Sequence, residues 1–161
     1  MKKILTLLLL LIPLTGVAME NKIKFDDETY NLSVNTEKGY NYYPKGENAD
    51  NWHSKITIKK LPAGTNPTEA SANFAHQIQS EHPGASVLVY PDAGMVGYLM
   101  NTKEGYEYNT SYFQKDSEFV YSKRFYNDDG DARKKAIEFA EKYNKKYMEM
   151  VNKIAPKIKV D

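Results

Sequence analysis

Apolar and polar positions alternate over much of the chain, and a period of two marks strands. Ile23 and Phe25 alternate within a polar stretch, residues 19–29, that reads as an arm or a short first strand. Tyr30, Leu32 and Val34 predict the next strand, Glu37-Lys38-Gly39 a turn, and Tyr40-Asn41-Tyr42-Tyr43 a further strand that Pro44-Lys45-Gly46 breaks. Residues 47–51 read as a polar loop. The clearest alternation runs over residues 52–61, where Trp52, Ser54, Ile56 and Ile58 share one face and His53, Lys55, Thr57 and Lys59 the other. Such a strand has one buried and one solvated face, and the reading places Trp52, Ile56 and Ile58 against helices.

The period then changes. Asn66-Pro67-Thr68-Glu69 announces a helix, with Asn66 as N-cap, Pro67 in the first helical position and Glu69 three residues beyond the cap. Ala70, Phe74 and Ile78 form a narrow apolar stripe, and His82-Pro83-Gly84 stops it. Four strands follow at residues 86–90, 95–101, 106–113 and 118–126, joined by short polar connectors that suit an antiparallel meander. From about residue 131 to residue 155 an amphipathic helix presents Ala136, Phe139, Ala140, Tyr143, Tyr147, Met150, Val151 and Ile154 on one side. Glu138 with Lys142, Glu141 with Lys145 and Glu149 with Lys153 are acid-before-base pairs on the other side. The expected fold is α+β: a single antiparallel sheet with two packed helices, arranged as a helix–sheet–helix sandwich.

The start of the chain sets its address. Met1-Lys2-Lys3 precedes an apolar run from Ile4 to Ile12, and Gly16-Val17-Ala18 offers small residues at the −3 and −1 positions of a cut. Residues 1–18 therefore read as a cleaved signal peptide and residues 19–161 as one domain. The apolar run is shorter than the roughly 20 residues a membrane span needs, so no stable membrane insertion is expected. The expected compartment is the periplasm. The chain has no cysteine, which leaves neither a lipid-attachment site nor a disulfide. Its net charge of +1 falls to −1 once Lys2 and Lys3 are removed, and nothing in that balance points to nucleic acid.

The segment Tyr42-Tyr43-Pro44-Lys45-Gly46-Glu47, followed by Trp52 and Ile56-Thr57-Ile58, resembles a pattern of small exported bacterial proteins. Together with the helix and meander that follow, it is similar to PsbP-like domains, including the DcrB-like periplasmic proteins. The resemblance implies a helix–sheet–helix sandwich that binds or assists other proteins, and it carries over no catalytic residue.

Candidate chemistry is sparse. His53, His76 and His82 show no metal-ligand spacing, and no metal or other cofactor is expected. Asn127-Asp128-Asp129-Gly130-Asp131 looks like a calcium loop, but with Gly130 as the sixth residue Phe125 and Ala136 fall where carboxylates are required. The run reads instead as a turn and a helix cap. No nucleophile elbow, P-loop or dinucleotide fingerprint occurs.

Tyrosine is the unusual residue, with 13 copies beside Trp52 and six Phe. Tyr106, Tyr108 and Tyr112 point one way from their strand, as do Phe119, Tyr121 and Phe125 from the next, with Tyr98 on the strand before. These rings serve either as core or as a partly exposed aromatic face of the kind favoured at protein interfaces. On the second reading Tyr106, Tyr108, Tyr112 and Tyr121 bind a protein partner, with Tyr42 and Tyr43 extending the patch. The expected function is a non-catalytic periplasmic protein-binding module, for instance an immunity or envelope-accessory protein. The alternatives are a small periplasmic hydrolase using Asp128, Asp129 or Glu47 as non-local carboxylates, and a carrier of a small apolar ligand.

Overall fold

The computed structural model describes residues 20–158, so the signal-peptide reading of residues 1–18 lies outside the described residues. The elements are β1 (Lys22–Phe25), β2 (Glu28–Thr36), β3 (Gly39–Pro44), β4 (Ser54–Lys60), α1 (Pro67–Glu81), β5 (Ser86–Tyr90), β6 (Met95–Thr102), β7 (Gly105–Phe113), β8 (Ser117–Tyr126) and α2 (Ala132–Ile154). All strands lie in one eight-stranded sheet of order β1-β2-β3-β4-β8-β7-β6-β5. Every neighbouring pair is antiparallel. The sheet thus consists of two four-stranded meanders joined where β4 pairs with β8.

Local chemistry sets the turns. Asp26 and Asp27 take left-handed backbone angles, φ 50° and 62°, in the tight turn between β1 and β2, a conformation that Asp tolerates and that matches the twist of a hairpin. Gly39 and Gly105 open the second strand of their hairpins with the neighbouring backbone pressed close. A Cβ at these positions would lie 2.2 Å from the Ile58 carbonyl oxygen and 1.9 Å from that of Phe125, so only glycine fits. Asn66 caps α1 by accepting from the amides of Thr68 and Glu69 at 3.0 and 3.4 Å. Asp131 caps α2 by accepting from Lys134 N at 3.0 Å. Along α2 the ion pair formed among the described residues is Lys134 with Glu138 at 3.9 Å. The three acid-before-base pairs read from the sequence do not close.

Two clusters of buried side chains divide the core. The larger joins Tyr147, Met148 and Val151 of α2 to Phe25, Tyr30, Tyr42, Ile56, Ile58, Tyr108, Phe119 and Tyr121 of the sheet. The smaller joins Ala75 and Ile78 of α1 to Val96, Tyr98 and Phe113. Adjacent residues of β6 go to different clusters, Met95 to the first and Val96 to the second, as the pleat requires. α2 packs over β6, β7 and β8, whereas α1 packs over β5, β6 and β7.

Ile56 and Ile58 are 0% and 1% exposed in the α2 cluster, as their alternation predicts. Trp52 departs from that pattern. It is buried, but it precedes the strand and belongs to neither cluster. Its ring carries the Lys55 ammonium 4.0 Å from its centroid and the Arg124 guanidinium at the same distance. Lys55 adjoins Ile56 in the strand and so points to the opposite face. The alternation stops at His53 because the preceding loop turns there, and Trp52 covers the polar face.

Candidate functional site

The tyrosines singled out above lie mostly beneath α2. Tyr42, Tyr43, Tyr108 and Tyr121 are buried, and Tyr106 and Tyr112 are half-buried. Tyr108 packs edge-on against Phe139 at 5.3 Å, and its hydroxyl meets Thr110 Oγ1 at 2.7 Å and Asn144 Oδ1 at 2.9 Å. Tyr121 stacks on Tyr147, with ring centroids 4.7 Å apart and planes within 7°. The Tyr42 hydroxyl donates to the Glu20 carbonyl at 3.0 Å. Burial pushes the Tyr108 and Tyr42 hydroxyls up to about 12 and raises those of Tyr121 and Tyr43 as well. Of the two readings their alternation left open, Tyr42, Tyr43, Tyr108 and Tyr121 therefore take the first and are core. The aromatic stripe of α2 supplies the cover for Tyr108 and Tyr121, with Phe139, Tyr143 and Tyr147 in mutual contact at 5.0 to 6.2 Å. Tyr98 is not part of this set. It lies against Phe74 of α1 at 5.6 Å, in the other cluster.

The opposite face of β4, β8 and β7 holds a polar row that alternation alone did not reveal. Arg124 reaches Glu104 at 2.7 Å and Glu107 at 3.1 Å. The Tyr126 hydroxyl donates to the Trp52 carbonyl at 2.8 Å, which fastens the loop over the row. Ser122 donates to Asn109 Oδ1 at 2.6 Å. Burial holds the Lys55 ammonium below the usual lysine range, against the opposing pull of Glu107. Lys59 meets the buried Glu118 at 3.0 Å further along. Asn109 Nδ2, Ser111 Oγ, Glu118 Oε1 and Arg124 Nε are buried without a hydrogen-bond partner in the protein. The row is tightly built and spread over several residues of three strands, so it does not converge on one point.

The edge strand β5 is where the described surface is most apolar. Leu88 is 52% exposed and Tyr90 48% exposed, and both are large hydrophobic side chains. Val87 and Val89 turn towards the α1 cluster, so Ser86, Leu88 and Tyr90 share the other face. That face is bare because α2 lies over the inner strands and stops short of covering β5. Between β5 and α2 run two hollows. One, of about 220 Å³, is lined by Ser86, Leu88, Leu99, Ile137, Ala140 and Asn144. The other, of about 300 Å³, is lined by Tyr90, Met95, Lys145, Met148, Glu149 and Asn152. The opposite edge of the sheet differs. β1 exposes Lys22 and Lys24 and buries Ile23 and Phe25, the arrangement by which edges resist further pairing.

Glu47, Asp128 and Asp129, the carboxylates proposed for hydrolysis, line neither hollow. Glu47 accepts from the amides of His53 and Ser54 at 2.8 and 3.3 Å and so holds the loop before β4. Asp128 and Asp129 lie in the exposed turn before α2, where the Asp129 carbonyl accepts from Lys135. No group of three or more His, Cys, Asp or Glu residues that could hold a metal ion occurs among the described residues. A groove of about 650 Å³ beside the β1–β2 turn mixes Lys24, Lys146, Lys153 and Lys157 with Asp26 and Asp27. There Asp26 is already taken by Lys146 at 2.5 Å and by the Tyr147 hydroxyl.

The fold defines an α+β protein built on one antiparallel sheet with two helices. A family model matches residues 17–155, and the chain belongs to that family. No curated protein and no solved structure matches it.

Proposed function

We propose that the chain is a non-catalytic protein-binding module of the periplasm, exported by a signal peptide that is cut after Ala18. In this reading the two helices cover opposite faces of the sheet in a helix–sheet–helix sandwich similar to PsbP-like and DcrB-like domains. The partner adds to the molecule at the β5 edge. An envelope-accessory or immunity role is the specific form that such a module would take. The observation that carries the reading is the bare face of β5: exposed Leu88 and Tyr90 on an edge strand, beside hollows that continue along α2. An edge strand offers a row of backbone donors and acceptors, and apolar side chains next to it supply the area that recognition needs.

The test is capture of partners from periplasmic extract by immobilised protein beginning at Met19, compared with its Leu88→Lys variant. Wild type retaining a protein that Leu88→Lys releases is the expected result. Equal capture by both, or capture by neither from an extract of cells that themselves produce this chain, overturns the reading.

A further inference from the structure

We propose that the partner at the β5 edge is a second copy of this chain, joined by antiparallel pairing of β5 with its twin about a twofold axis at Leu88. The proposal deepens the protein-binding reading and rests on it.

The sequence of the edge is close to its own reverse. Ser86-Val87-Leu88-Val89-Tyr90 is symmetric about Leu88 in its three central residues. Antiparallel self-pairing centred there sets Leu88 against Leu88 of the second copy and Val87 against Val89. Because a strand's side chains alternate between faces, both pairings are apolar and each stays on one face of the combined sheet. The strand carries no charge and no proline, the two devices that commonly block an edge. Nothing in it repels its twin.

The outer pair is unequal in a way that favours closure. Self-pairing places the half-exposed Tyr90 of one copy opposite Ser86 of the other. Ser86 is small, and the hollow of about 220 Å³ begins directly beside it, floored by Leu99, Ile137 and Ala140. That volume suits one aromatic side chain, being below the roughly 300–1,000 Å³ of small-molecule sites. Asn144 lines the same hollow and gives the incoming phenol a polar neighbour. Each copy thus supplies a knob to its partner and receives one. An interface of this kind is isologous and closes on two subunits without leaving a further β5 edge free. The remaining sheet edges would be the two β1 strands with their lysines, so the assembly stops at two.

Sedimentation velocity on the mature chain, over concentrations reaching the millimolar range, tests the proposal. Wild type is expected to form dimers. Leu88→Lys and Leu88→Asp are each expected to remain monomeric, since each sets like charges against each other on the axis. Mixing the two variants is expected to restore a dimer, because Lys then faces Asp, and only a partner that is the same chain predicts this rescue. Tyr90→Ala, which leaves the axis untouched, is expected to weaken the dimer about tenfold or more, the loss of one aromatic anchor. Unchanged far-ultraviolet circular dichroism in each variant confirms that folding is intact. A dimer that survives Leu88→Lys overturns the proposal, as does a Lys/Asp mixture that stays monomeric. A monomeric wild type that still captures an extract protein through Leu88 overturns the second copy and leaves the protein-binding reading standing. A monomer that captures nothing overturns both.

Discussion

Replacing Arg124 with Ala removes the cation that two carboxylates and Trp52 share. In the native protein the Arg124 side chain is 16% exposed and that of Glu107 10%, with 3.1 Å between them. The second contact, to Glu104, involves a carboxylate that is 59% exposed and contributes little. The cost of Arg124→Ala therefore comes mainly from Glu107, left charged in a largely dry place, and from the face of Trp52 that loses its guanidinium at 4.0 Å. Breaking a buried pair by deleting one member costs about 3–5 kcal/mol. The residual exposure here sets the expectation at the lower end, about 3 kcal/mol. Against a denaturant slope of about 1–3 kcal/mol per molar urea, the unfolding midpoint should fall by about 1 M or more. The informative comparison is the double variant Arg124→Ala/Glu107→Gln. It removes the stranded charge and should regain about 1–2 kcal/mol of the loss, because most of the single-variant penalty is the unpaired carboxylate rather than a missing attraction. Equilibrium urea unfolding at neutral pH, followed by Trp52 fluorescence and by circular dichroism, measures both values. A double variant no more stable than Arg124→Ala would refute the reasoning and show that the guanidinium acts by packing on Trp52.

Tyr108→Ala is expected to cost about 3–5 kcal/mol in the same unfolding experiment, the range for truncating a buried aromatic, and an unchanged midpoint would return this ring to the surface. Asp26 makes stability depend on acid. Burial alone would raise its pKa, but the hydrogen bonds from Lys146 and Tyr147 outweigh it and hold the carboxyl below its ordinary value of 3.8. A folded-state pKa below the unfolded one gives stability that is present above the unfolded value and lost as pH falls through the folded value. The loss on acidification from about pH 5 to about pH 2 should accordingly be smaller in Asp26→Asn than in wild type, and parallel acid profiles would refute the assignment.

Most of the fold was legible because each element carried its own local signal. The period of two located the strands to within a residue or two, and Asn66 with Pro67 marked the start of α1 at the residue where it begins. Asp131 did the same for α2. Trp52 was misplaced because alternation holds only while the backbone stays extended, and the loop turns at His53. The tyrosines posed a different problem. Alternation put Tyr106, Tyr108 and Tyr112 on one face correctly, yet it does not say which face a helix covers. That answer lay in α2, whose Phe139, Tyr143 and Tyr147 repeat at four-residue spacing and match the rings below them. The β5 edge was equally hidden. Ser86 to Tyr90 reads only as one strand of a meander, and its position at the rim is set by the pairing of β4 with β8, some sixty residues apart. Long-range pairing leaves no trace in a local pattern. The polar row of Asn109, Ser122, Glu107 and Arg124 was invisible for the same reason, since its members meet only across strands.

The junction of the two meanders also sets a schedule for the chain. β1 to β4 are made first and can pair among themselves, but β4 finds its second neighbour, β8, only after α1 and three more strands have followed. Until then the nascent half carries an open flank through Ser54–Lys60. Contacts this distant in sequence pay their loop entropy before any reward and slow the final collapse. Lys55, Lys59 and Lys60 occupy that flank. In the finished molecule Lys55 lies on Trp52 and Lys59 meets Glu118. Earlier, their charges give an unfinished sheet the same protection that β1 keeps for good. A residue can thus guard an intermediate and then become part of the seam that ends the need for guarding.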